Sequence, residues 1–343
     1  MTNNPMCHGK FEYREINPYF TKYANEADQF NIATGFVTNE SIVELDNLVK
    51  CRMELNNKMK LNLLIGMNYF DGFTRLQYDA IHALNDYLIG EALGGVYLST
   101  AMRYHGKIYS FLKNETSIAS FVGSSNLGSF VGTSAEYIES DVMFSDEEAN
   151  KVNERINNLI EFLGTDFNDV PQITKFKEPK FNLLSDNNFV KMVTKQRYEE
   201  LLQERTGIEV ELPLKTEPKS NLNAFFGKGK LKGKYSPRHW YEVEYIINKN
   251  TPNRDKLPEL QETFTVITDD LYQFDCDRQG DYAKNLRTIG DLRILGKWIK
   301  GHMEAAGALR LGEPVTEATL QKFHKTRMVL EQTTEGIWLL KMV

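Results

Sequence analysis

The chain has 343 residues, enough for two domains of ordinary size, and its apolar fraction of 41% can build a core in each. No run approaches the roughly 18 apolar residues that cross a bilayer, so we expect neither a transmembrane protein nor a membrane partner. Residues 1–10 lack the hydrophobic segment of a signal peptide, and we therefore expect a cytoplasmic protein.

The net charge of −6 argues against a protein that is basic over its whole surface. Basic residues are nevertheless concentrated in residues 219–249 and 278–300, where they outnumber acidic ones. A locally basic surface on an acidic chain is typical of a protein that binds phosphate groups in one place. The cysteines Cys7, Cys51 and Cys276 are scattered and lack the spacing of metal ligands, so we expect no metal site and no cofactor.

Strand and helix signals alternate over the first 165 residues. The predicted strands cover residues 30–37, 60–67, 94–99, the run after residue 107, 117–122 and 137–144. The predicted helices cover residues 39–55, 74–93 and 146–163. Strands separated by helices of this length indicate an α/β sandwich with a largely buried sheet.

A histidine and a lysine stand two positions apart in His105-Gly106-Lys107, where an apolar strand begins. Alternate residues of a strand project from one face, so one side chain can attack phosphorus while the other binds a phosphate oxygen. His8-Gly9-Lys10 also fits this short pattern, but it lies in a polar stretch without a companion motif, and we treat it as chance.

The companion of the second copy is the turn Gly123-Ser124-Ser125-Asn126, which follows the next apolar strand. Its glycine permits a tight bend, and Asn126 offers a neutral amide donor to the same anion. Together the two motifs resemble the active site of the phospholipase D superfamily. They predict phosphodiester transfer, with His105 and Lys107 in the site beside Ser124 and Asn126.

If His105 is the nucleophile, the second nitrogen of its ring needs an acceptor that orients the imidazole and stabilises its positive charge. Phospholipase D-like enzymes place a carboxylate for this purpose downstream of the glycine-serine turn, where this chain has Glu136 and Glu139. We prefer Glu136, which precedes the next strand at the more familiar distance, and keep Glu139 as the alternative. The superfamily's usual aspartate, five residues after the lysine, is replaced by Leu112, which disfavours a lipid-cleaving enzyme.

The second half of the chain has a different pattern. A helix is predicted over residues 188–205, and a second one over 291–306. Short alternating runs that are typical of strands cover residues 240–247, 262–268, 271–275, 326–332 and 336–343. We therefore predict a nuclease domain over 1–172, a connector with a helix over 173–208, and a mostly β domain of barrel type over 209–343.

Long motifs in this half resemble restriction endonucleases of the NgoFVII type. They are Trp240-Tyr241-Glu242-Val243-Glu244 and residues 280–287, 290–292, 295–301 and 336–340. The resemblance implies a phospholipase D-like nuclease domain and a pseudobarrel DNA-recognition domain, similar to the B-three type of plant auxin-response regulators, whose two arms enter the major groove. It also implies hydrolysis without a metal ion, through a phosphohistidine intermediate.

Arginine, lysine and asparagine near turns are the residue types that read base edges and contact phosphates. The segments 221–234 and 278–287 are rich in these residues and punctuated by glycine, so we predict that both contact DNA. The predicted DNA-binding residues are Asn221, Asn223, Lys228, Lys230, Lys232, Lys234, Arg278, Asp281, Tyr282, Lys284, Asn285 and Arg287. We expect Trp240, Trp298 and Trp338 to be core residues instead.

These patterns predict a sequence-specific endonuclease for double-stranded DNA, like a type II restriction enzyme. The chain carries one complete motif, whereas the phospholipase D-type reaction uses two histidines. The resemblance therefore implies a homodimer, formed through the nuclease domain, with one composite active site. The alternative is a non-specific phospholipase D-like nuclease or another phosphodiesterase. Some relatives require a separate helicase or ATPase subunit, and whether this chain does is left open.

Overall fold

The computed structural model describes residues 16–132, 139–177, 184, 187–227 and 233–343. Its helices are α1 (Asn17–Glu26), α2 (Asn39–Glu54), α3 (Asn68–Asp71), α4 (Arg75–Gly90), α5 (Leu127–Phe130), α6 (Asp146–Leu163), α7 (Lys195–Gln203), α8 (Ile294–Ala305) and α9 (Glu317–Phe323). The first sheet contains β1 (Gln29–Thr34), β2 (Lys60–Ile65), β3 (Gly94–Ser99), β4 (Lys107–Lys113), β5 (Thr116–Gly123), β6 (Asp141–Phe144) and β7 (Gly164–Asp166). The second contains β8 (Lys191–Met192), β9 (Arg205–Pro213), β10 (Tyr245–Ile246), β11 (Phe264–Thr268), β12 (Tyr272–Gln279), β13 (Asn285–Thr288), β14 (Arg327–Thr333) and β15 (Trp338–Met342).

The first sheet has the strand order β6-β5-β4-β1-β2-β3-β7, in which β1, β2 and β3 are parallel to one another and the outer strands pair antiparallel. Side chains alternate between its faces. Ala33 and Leu64 pack against α6, whereas Ile32 and Leu63 enter the larger core with residues of α1, α2 and α4. Helices on both faces of a buried sheet confirm the predicted α/β sandwich.

The elements predicted for this half are present, with bounds that differ by a few residues. The predicted strand 30–37 ends at Thr34, and the predicted helix 74–93 ends at Gly90. Helix α1 was not predicted from the sequence, because it is short and its pattern is weak. It is stabilised by tertiary packing, since Phe20 and Tyr23 are buried against the aromatic side chains of the sheet.

The second sheet has the order β10-β13-β12-β11-β15-β14-β9, with β8 added beside β12. It is antiparallel apart from the parallel pair β11–β15, and it curls into a half-barrel. Trp240, Trp298 and Trp338 are buried, as expected of core residues. This arrangement confirms the mostly β pseudobarrel predicted for the second half.

Several elements of this half differ from the sequence prediction. The helix predicted over 188–205 is limited to α7, and β8 lies within the predicted range. The strand predicted over 240–247 is limited to β10. The buried side chain of Val243 and the backbone of Tyr241 instead pack closely on Gly296 of α8, so burial there does not reflect strand pairing. Strands β9 and β13 and helix α9 were missed, because short or polar segments gain their stability from their partners.

Part of the predicted connector contributes to the second sheet. Strand β8 pairs antiparallel with β12, and Leu201 of α7 packs with Ile267 and Leu339. Among the described residues, no helix is both long and apolar enough to cross a membrane.

Candidate active site and DNA interface

Several strand ends of the first sheet meet at one edge, which we call the site edge. Because β4 runs antiparallel to β1, Lys107 at the start of β4 pairs with Thr34 at the end of β1. In the same way, Gly123 at the end of β5 pairs with Asp141 at the start of β6. The site edge therefore brings the histidine-lysine pair beside the glycine-serine turn and beside the acidic segment that precedes β6.

The side chains of His105 and Lys107 are in contact. The ammonium nitrogen of Lys107 lies 3.4 Å from Nδ1 and 3.3 Å from Nε2 of the imidazole, and it donates a hydrogen bond of 2.9 Å to the carbonyl oxygen of His105. Lys107 is only 8% exposed, whereas His105 is exposed. Burial lowers the pKa of Lys107, and the negative charge of Glu139 opposes this shift. An oxyanion can therefore be bound by the lysine while the accessible imidazole faces its central atom.

Tyr104 and His105, which lead into β4, pass close to two glycines that follow β1 and β2. The backbone N–H of Tyr104 donates to the carbonyl oxygen of Gly66 at 3.2 Å, and a Cβ at residue 66 would lie 2.0 Å from the carbonyl oxygen of Tyr104. A Cβ on Gly35 would lie 3.2 Å from both Cα and Cδ2 of His105. The ring of His105 also packs edge-on against Phe36, with 5.7 Å between ring centroids. These contacts restrict the orientation of the imidazole.

Asp141 at the start of β6 binds the turn after β5, and sequence reasoning did not single out this residue. Its carboxylate accepts hydrogen bonds from the hydroxyl and the backbone N–H of Ser125. The carbonyl oxygen of Ser125 accepts a hydrogen bond of 2.6 Å from the buried hydroxyl of Tyr109. A Cβ on Gly123 would lie 2.1 Å from Oδ1 of Asp141, so only glycine allows this close approach. The sequence could not identify Asp141 as a partner of this turn, because the pairing of Gly123 with Asp141 depends on the strand register.

Asn126 follows this turn and begins α5. Its Oδ1 accepts a hydrogen bond of 3.4 Å from the backbone N–H of Phe36, which indicates that the amide nitrogen points the other way. Among the described residues, that amide nitrogen has no acceptor, so it remains able to donate to an anion at the site edge.

Ser124 and Glu139 contact each other. The hydroxyl of Ser124 donates to Oε2 of Glu139 at 2.5 Å and accepts from the backbone N–H of Ser140 at 2.9 Å. Oε1 of Glu139 accepts a hydrogen bond of 3.4 Å from Ser129. Within the described part of the chain, no carboxylate makes a hydrogen bond to the His105 ring. Glu136, the preferred acid, lies in the segment 133–138, outside the described residues.

The described part of the site edge offers donors for anions rather than a group of metal ligands. Within the ranges that the structure describes, no three His, Cys, Asp or Glu side chains are placed to hold a metal ion together. The donors near His105 are an ammonium, an amide and hydroxyl groups, which bind anions.

A hairpin formed by β12 and β13 lies at one side of the second sheet. Its turn exposes Tyr282 to 91% and holds this residue in a left-handed conformation, with φ of 58°. Arg254 donates to the carbonyl oxygen of Tyr282, and Arg278 donates to that of Ala283 at 2.9 Å. The turn is therefore held firmly by the protein while its tyrosine ring stays accessible.

The outer face of this hairpin carries side chains that can read base edges. Along β13 every second residue is buried, which leaves Asn285 and Arg287 on the outer face. Across the ladder, Gln279 pairs with Asn285 and Asp277 pairs with Arg287. The Oδ1 atom of Asn285 is enclosed by protein but has no hydrogen-bond partner among the described residues. Gln279 lies within the segment 278–287 that was predicted to contact DNA, whereas Asp277 lies outside it, although the two-residue period of a longer predicted strand would have included Asp277.

Comparison with protein families gives a match in each half of the chain. The model of the NgoFVII restriction endonuclease N-terminal PLD domain matches residues 15–171, and that of the NgoFVII C-terminal B3-like DNA-binding domain matches residues 200–334. The chain belongs to the NgoFVII restriction endonuclease family. It is a DNA endonuclease, and double-stranded DNA is its partner. No curated protein matches the sequence.

Within the B3-like domain, three of the predicted DNA-binding residues are used to hold the protein together. Asn223 is 2% exposed, and its amide spans the backbone of Val315, donating to the carbonyl oxygen at 2.9 Å and accepting from the N–H at 2.8 Å. Asn221 is buried and bonded to Glu217 and to the backbone of Ile246. The geometry therefore does not support base contacts by these two asparagines.

Arg278 is likewise 6% exposed, with its guanidinium bonded to backbone carbonyl oxygens of the hairpin turn and of residues 257 and 258. Burial lowers its pKa, and the positive charge of Arg254 adds to this effect. Asp281, Tyr282 and Lys234 are exposed, and Lys284, Asn285 and Arg287 are half-buried. Lys228, Lys230 and Lys232 lie outside the described residues.

Proposed function

We propose that the chain is a sequence-specific, dimeric restriction endonuclease that cleaves DNA through a phosphohistidine intermediate. The observation that carries this proposal is the contact between His105 and Lys107 at the site edge, where Asn126 is bonded to Phe36, the residue whose ring packs against His105. A nucleophile, a cation and a neutral donor around one accessible space are what phosphoryl transfer requires in the absence of a metal ion.

The proposed reaction has two steps. In the first, a ring nitrogen of His105 attacks phosphorus, the bond from phosphorus to the leaving deoxyribose oxygen breaks, and a second histidine protonates that oxygen. In the second, water attacks the phosphohistidine, the phosphorus–nitrogen bond breaks, and the second histidine takes the proton of the water. The positive charge of Lys107 and a hydrogen bond from the amide of Asn126 stabilise the charge on the other phosphate oxygens.

The second histidine is proposed to be His105 of an identical chain. Among the described residues, the other histidines lie on α4, α8, the loop at 239 and the end of α9, away from the site edge. Two nuclease domains that meet at their site edges would supply one histidine each, which is why we propose one composite site per dimer.

For the acid that orients His105, we propose Glu136, with Glu139 as the alternative. The hydrogen bonds of Glu139 to Ser124 and Ser129 favour a role for Glu139 in supporting the turn. For recognition, we propose that the outer face of the β12–β13 hairpin and its exposed Tyr282 contact the major groove. We also propose the boundaries 1–172 and 209–343 for the two domains, with 173–208 between them.

Cleavage is expected to persist in excess EDTA, because the ammonium of Lys107 and the amide donor of Asn126 stabilise the phosphate charge that a metal ion stabilises in other nucleases. Purified protein and a long DNA of known sequence are incubated in EDTA, and the ends are sequenced. A magnesium-dependent nuclease in the same buffer is the control and should be inactive. The expected ends lie at a fixed distance from one common sequence. Ends scattered over the DNA would favour a non-specific nuclease, and activity restored only by magnesium would refute the mechanism.

Recognition is tested by two substitutions with different expected signatures. If Arg287 contacts a base, Arg287→Ala should cost roughly 1–3 kcal/mol on the cognate duplex and relax preference at one position. Lys234 is exposed and suited to a phosphate contact, so Lys234→Ala should weaken binding to all duplexes alike. The plot of the logarithm of the binding constant against the logarithm of salt concentration should become less steep by about one unit. Competition binding with single-position variants of the site measures both effects. Uniform weakening by Arg287→Ala would exclude base reading by that residue.

A further inference from the structure

Tyr235 of the B3-like domain is bound by three residues of the nuclease domain. The side-chain amide of Asn25 spans the backbone of Tyr235, accepting from its N–H at 2.8 Å and donating to its carbonyl oxygen at 2.8 Å. The hydroxyl of Tyr235 donates to the carboxylate of Glu44. The ring packs edge-on against Phe20, with 6.3 Å between centroids, and the residue is 1% exposed. We call Asn25, Glu44 and Tyr235 the interdomain clamp.

The protonation state of Tyr235 favours a stable hydrogen bond to Glu44. Burial, together with the negative charge of Glu44, raises the pKa of Tyr235 well above its ordinary range, so the hydroxyl keeps its proton and remains a donor. Glu44 is buried as well. A phenol that bonds a buried carboxylate, and a backbone held at both its N–H and its carbonyl oxygen, leave little freedom for rotation between the domains.

Residues 223 and 235 are bound by different domains. Asn223 binds the backbone of Val315 with the same two-point geometry with which Asn25 binds Tyr235. The stretch between residues 223 and 235 is thus attached to the recognition domain at its start and to the nuclease domain at its end. Its exposed Lys234 lies immediately before the clamp.

A second contact between the domains involves α2, next to Glu44 of the clamp. Gly312 of the B3-like domain faces Val43 of α2, where a Cβ would lie 3.6 Å from Cγ2 of the valine. Burial raises the pKa of Glu40 on α2, and the positive charges of Lys297 and Arg293 of the B3-like domain are among the effects that oppose this shift. Helices α1 and α2 therefore bind the recognition domain at separate points, as a rigid connection requires.

We propose that the interdomain clamp sets the distance between the recognised sequence and the phosphodiester bond that is cut. The inference rests on the proposed function, since it assigns Asn25, Glu44 and Tyr235 as positioning residues for that reaction. The recognition domain fixes the duplex, and the clamp fixes the site edge relative to the recognition domain. Loosening the clamp leaves base reading intact but lets the site edge reach neighbouring bonds.

The test compares full-length variants by binding and by the positions of the cuts. Tyr235→Phe removes the hydroxyl that donates to Glu44, whereas Asn25→Ala removes both bonds to the backbone of Tyr235. Asn85→Ala is the matched control, because buried Asn85 makes two comparable bonds, to Val96 and Asn168, that stay within the nuclease domain. Circular dichroism establishes that each variant is folded at the assay temperature, and sequencing of DNA ends gives the cut positions.

We expect both clamp variants to bind cognate DNA within about two-fold of the unsubstituted protein and to spread the cuts over several neighbouring bonds. The Asn85 variant should cut at the original bond. Unchanged cut positions in Tyr235→Phe and Asn25→Ala would overturn the proposal, as would equal spreading by Asn85→Ala. If Asn25→Ala fails to fold, Tyr235→Phe decides. Failure of the unsubstituted protein to cut DNA would instead refute the proposed function.

Discussion

Replacement of His105 by alanine is expected to abolish DNA cleavage while leaving binding to cognate DNA nearly unchanged. The imidazole is exposed at the site edge, about 3.4 Å from the lysine ammonium, and among the described residues its hydrogen-bonding contacts are with Lys107 of the nuclease domain. Loss of a nucleophile that forms the covalent intermediate removes the reaction path itself, so we expect a decrease of about 10⁴-fold or more in the single-turnover rate.

The control for this experiment is His82→Ala. His82 is an exposed histidine of the same domain that pairs with Asp86 on α4, and its loss should leave cleavage intact. Rapid acid-free quenching of the unsubstituted protein with labelled DNA should trap a covalent adduct that is absent from the His105 variant. Cleavage retained by His105→Ala would move the role of nucleophile to another residue, and His8, which lies outside the described residues, would be examined first.

Lys107→Ala and Asn126→Ala are each expected to lower the cleavage rate by about 10²–10³-fold, by analogy with the loss of single donors to a developing oxyanion. Lys107 offers a buried ammonium beside the imidazole. Asn126 offers the nitrogen of its side-chain amide, since the oxygen of that amide already accepts a hydrogen bond from Phe36. Both groups act on the phosphate at the moment of transfer, so the rate should decrease far more than the affinity for DNA.

Lys113→Ala is the matched control for the lysine. Lys113 lies at the opposite end of β4, is exposed, and approaches only Asp28, at 3.8 Å, so its loss should not change the rate. The measurement is the single-turnover rate at saturating protein, with affinity determined separately by titration. A Lys107 variant whose rate is normal once DNA is saturating would limit that lysine to binding.

The contact between His105 and Lys107 could be predicted from the sequence because the two residues are only two positions apart. His105 itself precedes β4, which begins at Lys107, so strand alternation alone does not orient its ring, and the contacts with Gly35 and Phe36 contribute to its orientation. The supports of the pair were not predictable in this way. Gly35, Gly66 and Asp141 come from other strands, and their closeness to the motifs depends on strand order and register.

For the predicted DNA-binding residues, the sequence could not separate accessible side chains from buried ones. Residue type alone placed Asn221, Asn223 and Arg278 beside Asn285 and Arg287 as equal candidates. The first three are buried and bonded within the protein, whereas the last two lie on the outer face of a hairpin. Polar side chains near turns serve both to bind ligands and to hold loops, and the sequence does not distinguish the two uses.

The sequence by itself determined the family, the two-part architecture and the pairing of histidine with lysine, because each depends on local pattern or on contiguous motifs. The tertiary structure decided which charged residues are accessible, how Asp141 supports the glycine-serine turn, and how Asn25 and Glu44 hold Tyr235. These contacts join residues separated by many positions along the chain. They form only when burial of the shared core makes it favourable to satisfy each polar group within the protein.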